Sequence, residues 1–127
     1  MLASARVVAF VPATDLSRAR QFYESVLGLP VVHADGFAVV SSPAGVIRVT
    51  NVGAALRPQP FTVLGFEVDD IDATVDALVA SGVEIARFPD MGQDERGVWR
   101  APGGFRVAWF QDPDGNTLSV HQPTSGE

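Results

Sequence analysis

Side chains able to do chemistry are sparse in this chain. Its 127 residues include no cysteine and only two histidines, His33 and His121. Without cysteine there are no disulfides, thiolate metal sites or thiol nucleophiles. No Ser–His–Asp order and no phosphate-cradling glycine motif is present. Acid–base chemistry is left, with His121 or Glu67 as the general base, provided one of them reaches a bound substrate. Asp69, Asp70, Asp72 and Asp76 could be taken for a cation site. They lie at and after a helix start, where carboxylates offset the helix dipole. His33 precedes a turn and reads as a surface or packing residue.

The elements that must position these groups occur twice. Val8 to Asp15 reads as an apolar strand running into a helix, and Val63 to Asp70 does the same 55 residues later. In the first copy Asp15 fits a helix N-cap, and Leu16, Ala19, Phe22, Tyr23 and Val26 form one apolar stripe up to Gly28. Short strands are expected at about 30–34, 37–41 and 45–50, divided by turn residues at Ala34 to Gly36 and Ser41 to Gly45. Residues 52–60 are the linker. The second copy opens with a strand at about 61–68. Asp70 then caps a helix with the stripe Ile71, Thr74, Val75, Leu78 and Val79, closed by Gly82. Strands are expected near 83–88, 105–111 and 116–122, with Trp99 in an extra extended piece at about 97–101 and a polar, mobile loop from Pro89 to Gly97. Strand, helix and three strands, repeated, make an α+β fold of two tandem βαβββ modules, about 5–51 and 61–122. A ferredoxin-like domain has two strands between its helices and ranks second. Neither copy can bury its apolar face alone, and two facing halves leave a cleft.

Composition narrows the partners. The chain is 46% hydrophobic with a formal net charge of −6, which fits one globular domain and disfavours nucleic acid and anionic membranes as partners. There is no signal-peptide segment at Met1 to Arg6 and no apolar run near a membrane span, so a soluble cytoplasmic protein is expected.

The layout resembles the vicinal oxygen chelate superfamily, which includes glyoxalase I, extradiol dioxygenases, fosfomycin-resistance enzymes and bleomycin-resistance proteins. The resemblance covers nearly the whole chain. It rests on Thr14-Asp15-Leu16 with Phe22-Tyr23 and Leu27-Gly28-Leu29, on Phe66 to Asp70, and on the hairpin Phe110-Gln111-Asp112-Pro113-Asp114-Gly115-Asn116. It implies a curved, cleft-bearing sheet with the helices outside, and a homodimer. Metal-dependent members place a His, Glu or Gln on the first and last strand of each copy. Here those positions fall on Val8, Arg48, Val63 and Ser119. Valine has no donor atom and arginine repels a divalent ion, so no metal and no cofactor is expected.

If those four positions face the cleft, strand alternation adds Phe10, Glu67 and His121, and on the strand 105–111 it adds Phe105 and Trp109. The other parity is Val7, Ala9, Val11, Leu64, Phe66, Val68, Leu118 and Val120, which is continuously apolar and suits the side under the helices. The expected ligand-binding set is therefore Phe10, Arg48, Glu67, Trp99, Phe105, Trp109, Ser119 and His121. An apolar, aromatic wall with few polar anchors is how small-molecule sites are built. The leading expectation is metal-free binding of a small organic molecule, such as an antibiotic, in the manner of bleomycin-resistance proteins. The alternatives are a metal-independent or metal-dependent lyase, isomerase or dioxygenase, and a protein-interaction module with a collapsed cleft.

Overall fold

A computed structural model of the chain describes residues 1–41 and 45–124. Ser42, Pro43 and Ala44, in the expected turn from Ser41 to Gly45, lie outside the described residues. Internal contacts divide the chain into two compact units. The first is Met1–Pro58 with Asp112–Asn116, and the second is Gln59–Gln111 with the chain from Thr117 onward.

The first unit contains β1 (Val8–Ala13), α1 (Leu16–Arg20), β2 (Val31–Ala34), β3 (Ala38–Ser41) and β4 (Val46–Asn51). Its sheet runs β1-β4-β3-β2, with β1 parallel to β4 and the other pairs antiparallel. Alternation along β1 buries Val11 and Ala13 and leaves Phe10 64% exposed, as a half-buried strand requires. Val7, expected on the helix side, precedes the strand and is exposed. Asp15 caps α1 by accepting from the Arg18 backbone N–H at 3.1 Å.

Beyond Arg20 the helix winds wider than the sequence pattern suggests. Gln21–Val26 form a π-helical turn in which the Leu27 N–H reaches back five residues to the Phe22 carbonyl at 2.9 Å. Gly28, at φ +74°, closes it. Within this turn Tyr23 is buried, and its hydroxyl donates to the Asp112 carboxylate at 2.7 Å.

The second unit repeats the layout with β5 (Thr62–Glu67), α2 (Ile71–Ala80), β6 (Trp99–Arg100), β7 (Arg106–Gln111) and β8 (Thr117–Gln122). The order is β5-β8-β7-β6, again with the outer strand β5 parallel to its neighbour β8. The architecture is thus α+β in two modules, each with a four-stranded mixed sheet. On α2 the buried stripe is Ile71, Val75 and Leu78, while Val79 is exposed.

The second module departs from expectation after its helix. Residues 83–88 alternate like a strand, with Val83 and Ile85 buried, yet they form no ladder strand. Their backbone is satisfied by other means. Ala86 N–H donates to the Trp109 carbonyl at 2.8 Å. The Gln93 side-chain amide accepts from Phe88 N–H at 2.7 Å and donates to the Ala86 carbonyl at 2.8 Å. A side chain here does the work of a neighbouring strand. The open edge of β7 is taken by β6, where Trp99 pairs with Val107 and Arg100 with Arg106. The piece holding Trp99, expected as an extra, is the fourth strand of the sheet. The loop from Pro89 to Gly97, expected to be mobile, is strapped by Gln93 and by the Arg87 guanidinium, which donates to the Asp94 carbonyl at 2.7 Å.

Burial, followed by the Asp112 charge, pushes the Tyr23 phenol far above its ordinary value of 10.0. A raised value means that the stability it confers is intact below pH 10 and falls as pH rises beyond it. The chain has one tyrosine, no lysine and no cysteine, so, arginine apart, Tyr23 is the side chain whose ordinary value lies in the alkaline range. Tyr23→Phe is expected to lose about 1–3 kcal/mol at neutral pH by leaving the buried carboxylate short of a donor. It is also expected to flatten the loss of stability above pH 10. Urea denaturation across pH tests both; an alkaline limb unchanged in the variant would refute the assignment.

Candidate functional site

The second sheet sets its side chains in rows. Across the strands, Trp99 lies opposite Val107, Val107 opposite His121, and His121 opposite Glu67. One step along, Trp109 lies opposite Ser119 and Ser119 opposite Gly65. Cross-strand partners share a face, so these residues present one surface. Over it opens a concavity of about 400 Å³, lined by Trp99, Phe105, Trp109, Ser119 and His121, with Thr62 and Val107 between them. Five of the eight residues expected from the sequence meet there.

The wall is held by specific contacts. The two indoles lie 6.0 Å apart with their planes tilted by 35°. The Trp109 indole N–H donates to the Thr62 hydroxyl at 3.2 Å, which fixes the ring. Thr62 has the wrong strand parity for this face and was not expected in the site. An irregularity in the β5–β8 register between Thr62 and Leu64 re-aims it.

Ser119 is buried at 7% exposure beside Gly65. A Cβ on Gly65 would stand 2.9 Å from the Ser119 Oγ, so glycine makes room for the hydroxyl. His121 Nε2 lies 3.9 Å from Glu67 Oε1, with both side chains well exposed. That separation gives a weak pair and leaves the imidazole facing the concavity.

The remaining two expected residues belong to the first unit. Phe10 and Arg48 are direct neighbours across β1 and β4, and Val40 flanks Arg48 on β3. Arg48 is half-buried, and the Thr50 hydroxyl on the same strand face is buried without a hydrogen bond among the described residues.

The donor set does not fit a divalent metal. Val8 and Val63 have no donor atom, and the register puts Phe10 beside Arg48 and Gly65 beside Ser119, so sliding along the first strands supplies none. Glu67 and His121 make two donors. Among the described residues no three His, Cys, Asp or Glu side chains gather.

Other candidates have local tasks. His33 Nε2 lies 2.9 Å from the Asp35 carboxylate. That hydrogen bond, with the Phe37 and Ala38 N–H groups, holds the Asp35 carboxyl down at about 2 and builds the β2–β3 turn. In the acidic run, Asp70 caps α2, Asp76 pairs with Arg96 at 3.0 Å, and Asp72 accepts from Arg106 at 2.7 Å. The Arg106 contact lowers the Asp72 carboxyl.

Residues 5–120 match the family model described as Glyoxalase/Bleomycin resistance protein/Dioxygenase superfamily. The chain is 28% identical over 123 residues to the "Uncharacterized protein YraH" of Bacillus subtilis (strain 168), spanning 85% of this chain and 90% of that one. Among solved structures it is similar to TnmS3, an antibiotic binding protein from Streptomyces sp. CB03234, at 25% identity and a TM-score of 0.73, over 98% of this chain and 99% of that one. A glyoxalase/bleomycin resistance protein/dioxygenase from Nocardioides shares the fold at 16% identity and a TM-score of 0.73, over 97% of this chain and 85% of that one.

The Gly65–Ser119 contact can be tested without a ligand. Gly65→Ala is expected to lose about 1 kcal/mol by crowding the hydroxyl, and the Gly65→Ala/Ser119→Ala double variant is expected to regain it. Equal losses in the single and double variants, measured by chemical denaturation, would place the strain elsewhere.

Proposed function

Because the chain belongs to the Glyoxalase/Bleomycin resistance protein/Dioxygenase superfamily, we propose that it is a small-molecule binding protein that holds an organic ligand with a planar aromatic portion, an antibiotic of that kind being the first candidate. The site in this reading is the concavity of the second unit. The observation that carries it is the pair of indoles, Trp99 and Trp109, in one concavity with the polar side chains of Ser119, His121 and Thr62, the last already engaged by the Trp109 N–H. Rings of this size contribute area and stacking, while a hydroxyl and an imidazole orient a ligand with little desolvation cost. The similarity to an antibiotic binding protein over nearly the full length of both chains supports the same reading. Binding in this site calls on no metal.

The approach of His121 to Glu67 favours a second reading, in which the imidazole acts as a metal-free general base. Recovery of the ligand intact after prolonged incubation separates binding from turnover.

Both tryptophans of the chain line the proposed site, so intrinsic fluorescence reports on it directly. Titration with a panel of aromatic antibiotics is expected to give saturable quenching by at least one. For that compound Trp109→Ala, followed by calorimetry, is expected to weaken binding by about tenfold or more. A panel that leaves both indoles unperturbed, or full affinity in Trp109→Ala, would remove the site.

A further inference from the structure

Trp109 is a wall shared by two concavities. Next to the concavity just described, further along the rows at Gln111 and Thr117, lies another, of about 610 Å³, with Phe61, Phe88, Met91 and Phe110 around the same indole. Thr62 lines both concavities, and its hydrogen bond to the indole N–H holds the ring between them. On one side Trp109 is tilted against Trp99, and on the other the Phe88 ring meets it edge-on at 5.6 Å.

The two spaces differ in chemistry. The first carries an imidazole and a serine hydroxyl. The second has no ionisable side chain in its lining; its polar groups are the Thr62 and Thr117 hydroxyls and the Gln111 amide. Thr117 already donates to the Gln59 carbonyl. Meanwhile Phe61 and Phe88 stand 58% and 44% exposed at the rim, large rings left in water beside a concavity. The rim is also fixed in place, since the Phe88 backbone N–H donates to the Gln93 amide oxygen at 2.7 Å. A preformed, uncharged, aromatic hollow rejects ions by desolvation and accepts flat apolar groups with little ordering cost.

We propose that this second concavity is a subsite for a neutral, planar, apolar ring system, the far portion of a ligand whose polar end lies at Ser119 and His121. The proposal rests on the binding reading above only for that polar end; the second subsite is tested on its own.

The probe is Nile red, a neutral fused-ring dye that brightens in apolar surroundings, titrated into the full chain. Saturable brightening is expected. Met91→Glu and Phe61→Lys each place a charge at the second concavity and are expected to weaken binding by about tenfold or more. Trp99→Ala, on the other side of the indole, is expected to weaken it less than either. Thermal melts accompany each variant; the exposed position of Phe61 keeps the test valid where Met91→Glu fails to fold. Absence of brightening in the unmodified chain overturns the proposal, as does binding equal to it in folded charged variants. Loss in Trp99→Ala alone also overturns it, by placing the dye in the first concavity and leaving the binding reading intact. Dye binding that depends on Met91 and Phe61, in a protein no antibiotic quenches, upholds the subsite while the binding reading fails.

Discussion

The Asp112 carboxylate sets the register in which β7 meets β8. One of its oxygens accepts from the backbone N–H groups of Asp114 and Asn116, at 2.9 and 3.0 Å. The other accepts from the Tyr23 hydroxyl at 2.7 Å and the Asn116 side-chain amide at 2.8 Å. Four donors on one buried carboxylate make a turn that cannot slide without stranding a charge. From that turn the ladder runs Gln111 to Thr117, Phe110 to Leu118, Trp109 to Ser119 and Val107 to His121. A slip of β8 by one residue against β7 would send Ser119 and His121 to the helix side and bring Leu118 and Val120 out beside Trp109. The stability of the hairpin and the order of side chains on its open face therefore hang on the same few hydrogen bonds.

Much of this was legible because strands have a period of two. The buried parity of β7 and β8 followed from Ala108, Phe110, Leu118 and Val120, and it left Trp109, Ser119 and His121 on the open face. The helix caps at Asp15 and Asp70 were legible because capping is local. Contacts between distant positions were not. Nothing near Tyr23 announces a partner 89 residues away, and the turn sequence around Asp112 is fully accounted for by its own backbone bonds. Residues 83–88 misled for a related reason. Burial of Val83 and Ile85 imitates a strand, but the neighbour that satisfies the backbone is the amide of Gln93, which has no periodic signature. Phe88 escaped notice at the end of that segment and Met91 in the loop after it, and Thr62 because a register irregularity overrides its parity.

The charges of the second unit are sorted by face. Along β7, Arg106 shares the helix side with Ala108 and Phe110, and directly opposite it on β6 stands Arg100. Two facing arginines would repel. The first turn of α2 answers with Asp72, 2.7 Å from the Arg106 guanidinium, and Asp94 adds a longer contact at 3.7 Å. The rows of the open face, Trp99, Val107, His121 and Glu67 with Trp109, Ser119 and Gly65, hold no arginine among the described residues and end in the His121–Glu67 pair.

That sorting bears on what such a fold can become. A metal in this architecture would tie strands together through its ligands, and losing the ligands would be expected to loosen the sheet. Here the strands are tied by the Asp112 turn, the Trp109–Thr62 bond and the Gln93 amide, none of which involves a metal-ligand position. Val63 and the neighbouring Gly65 supply no donor, and Gly65 instead gives Ser119 the space for its hydroxyl. Function in such a fold therefore follows from the side chains on the rows and not from the backbone that carries them.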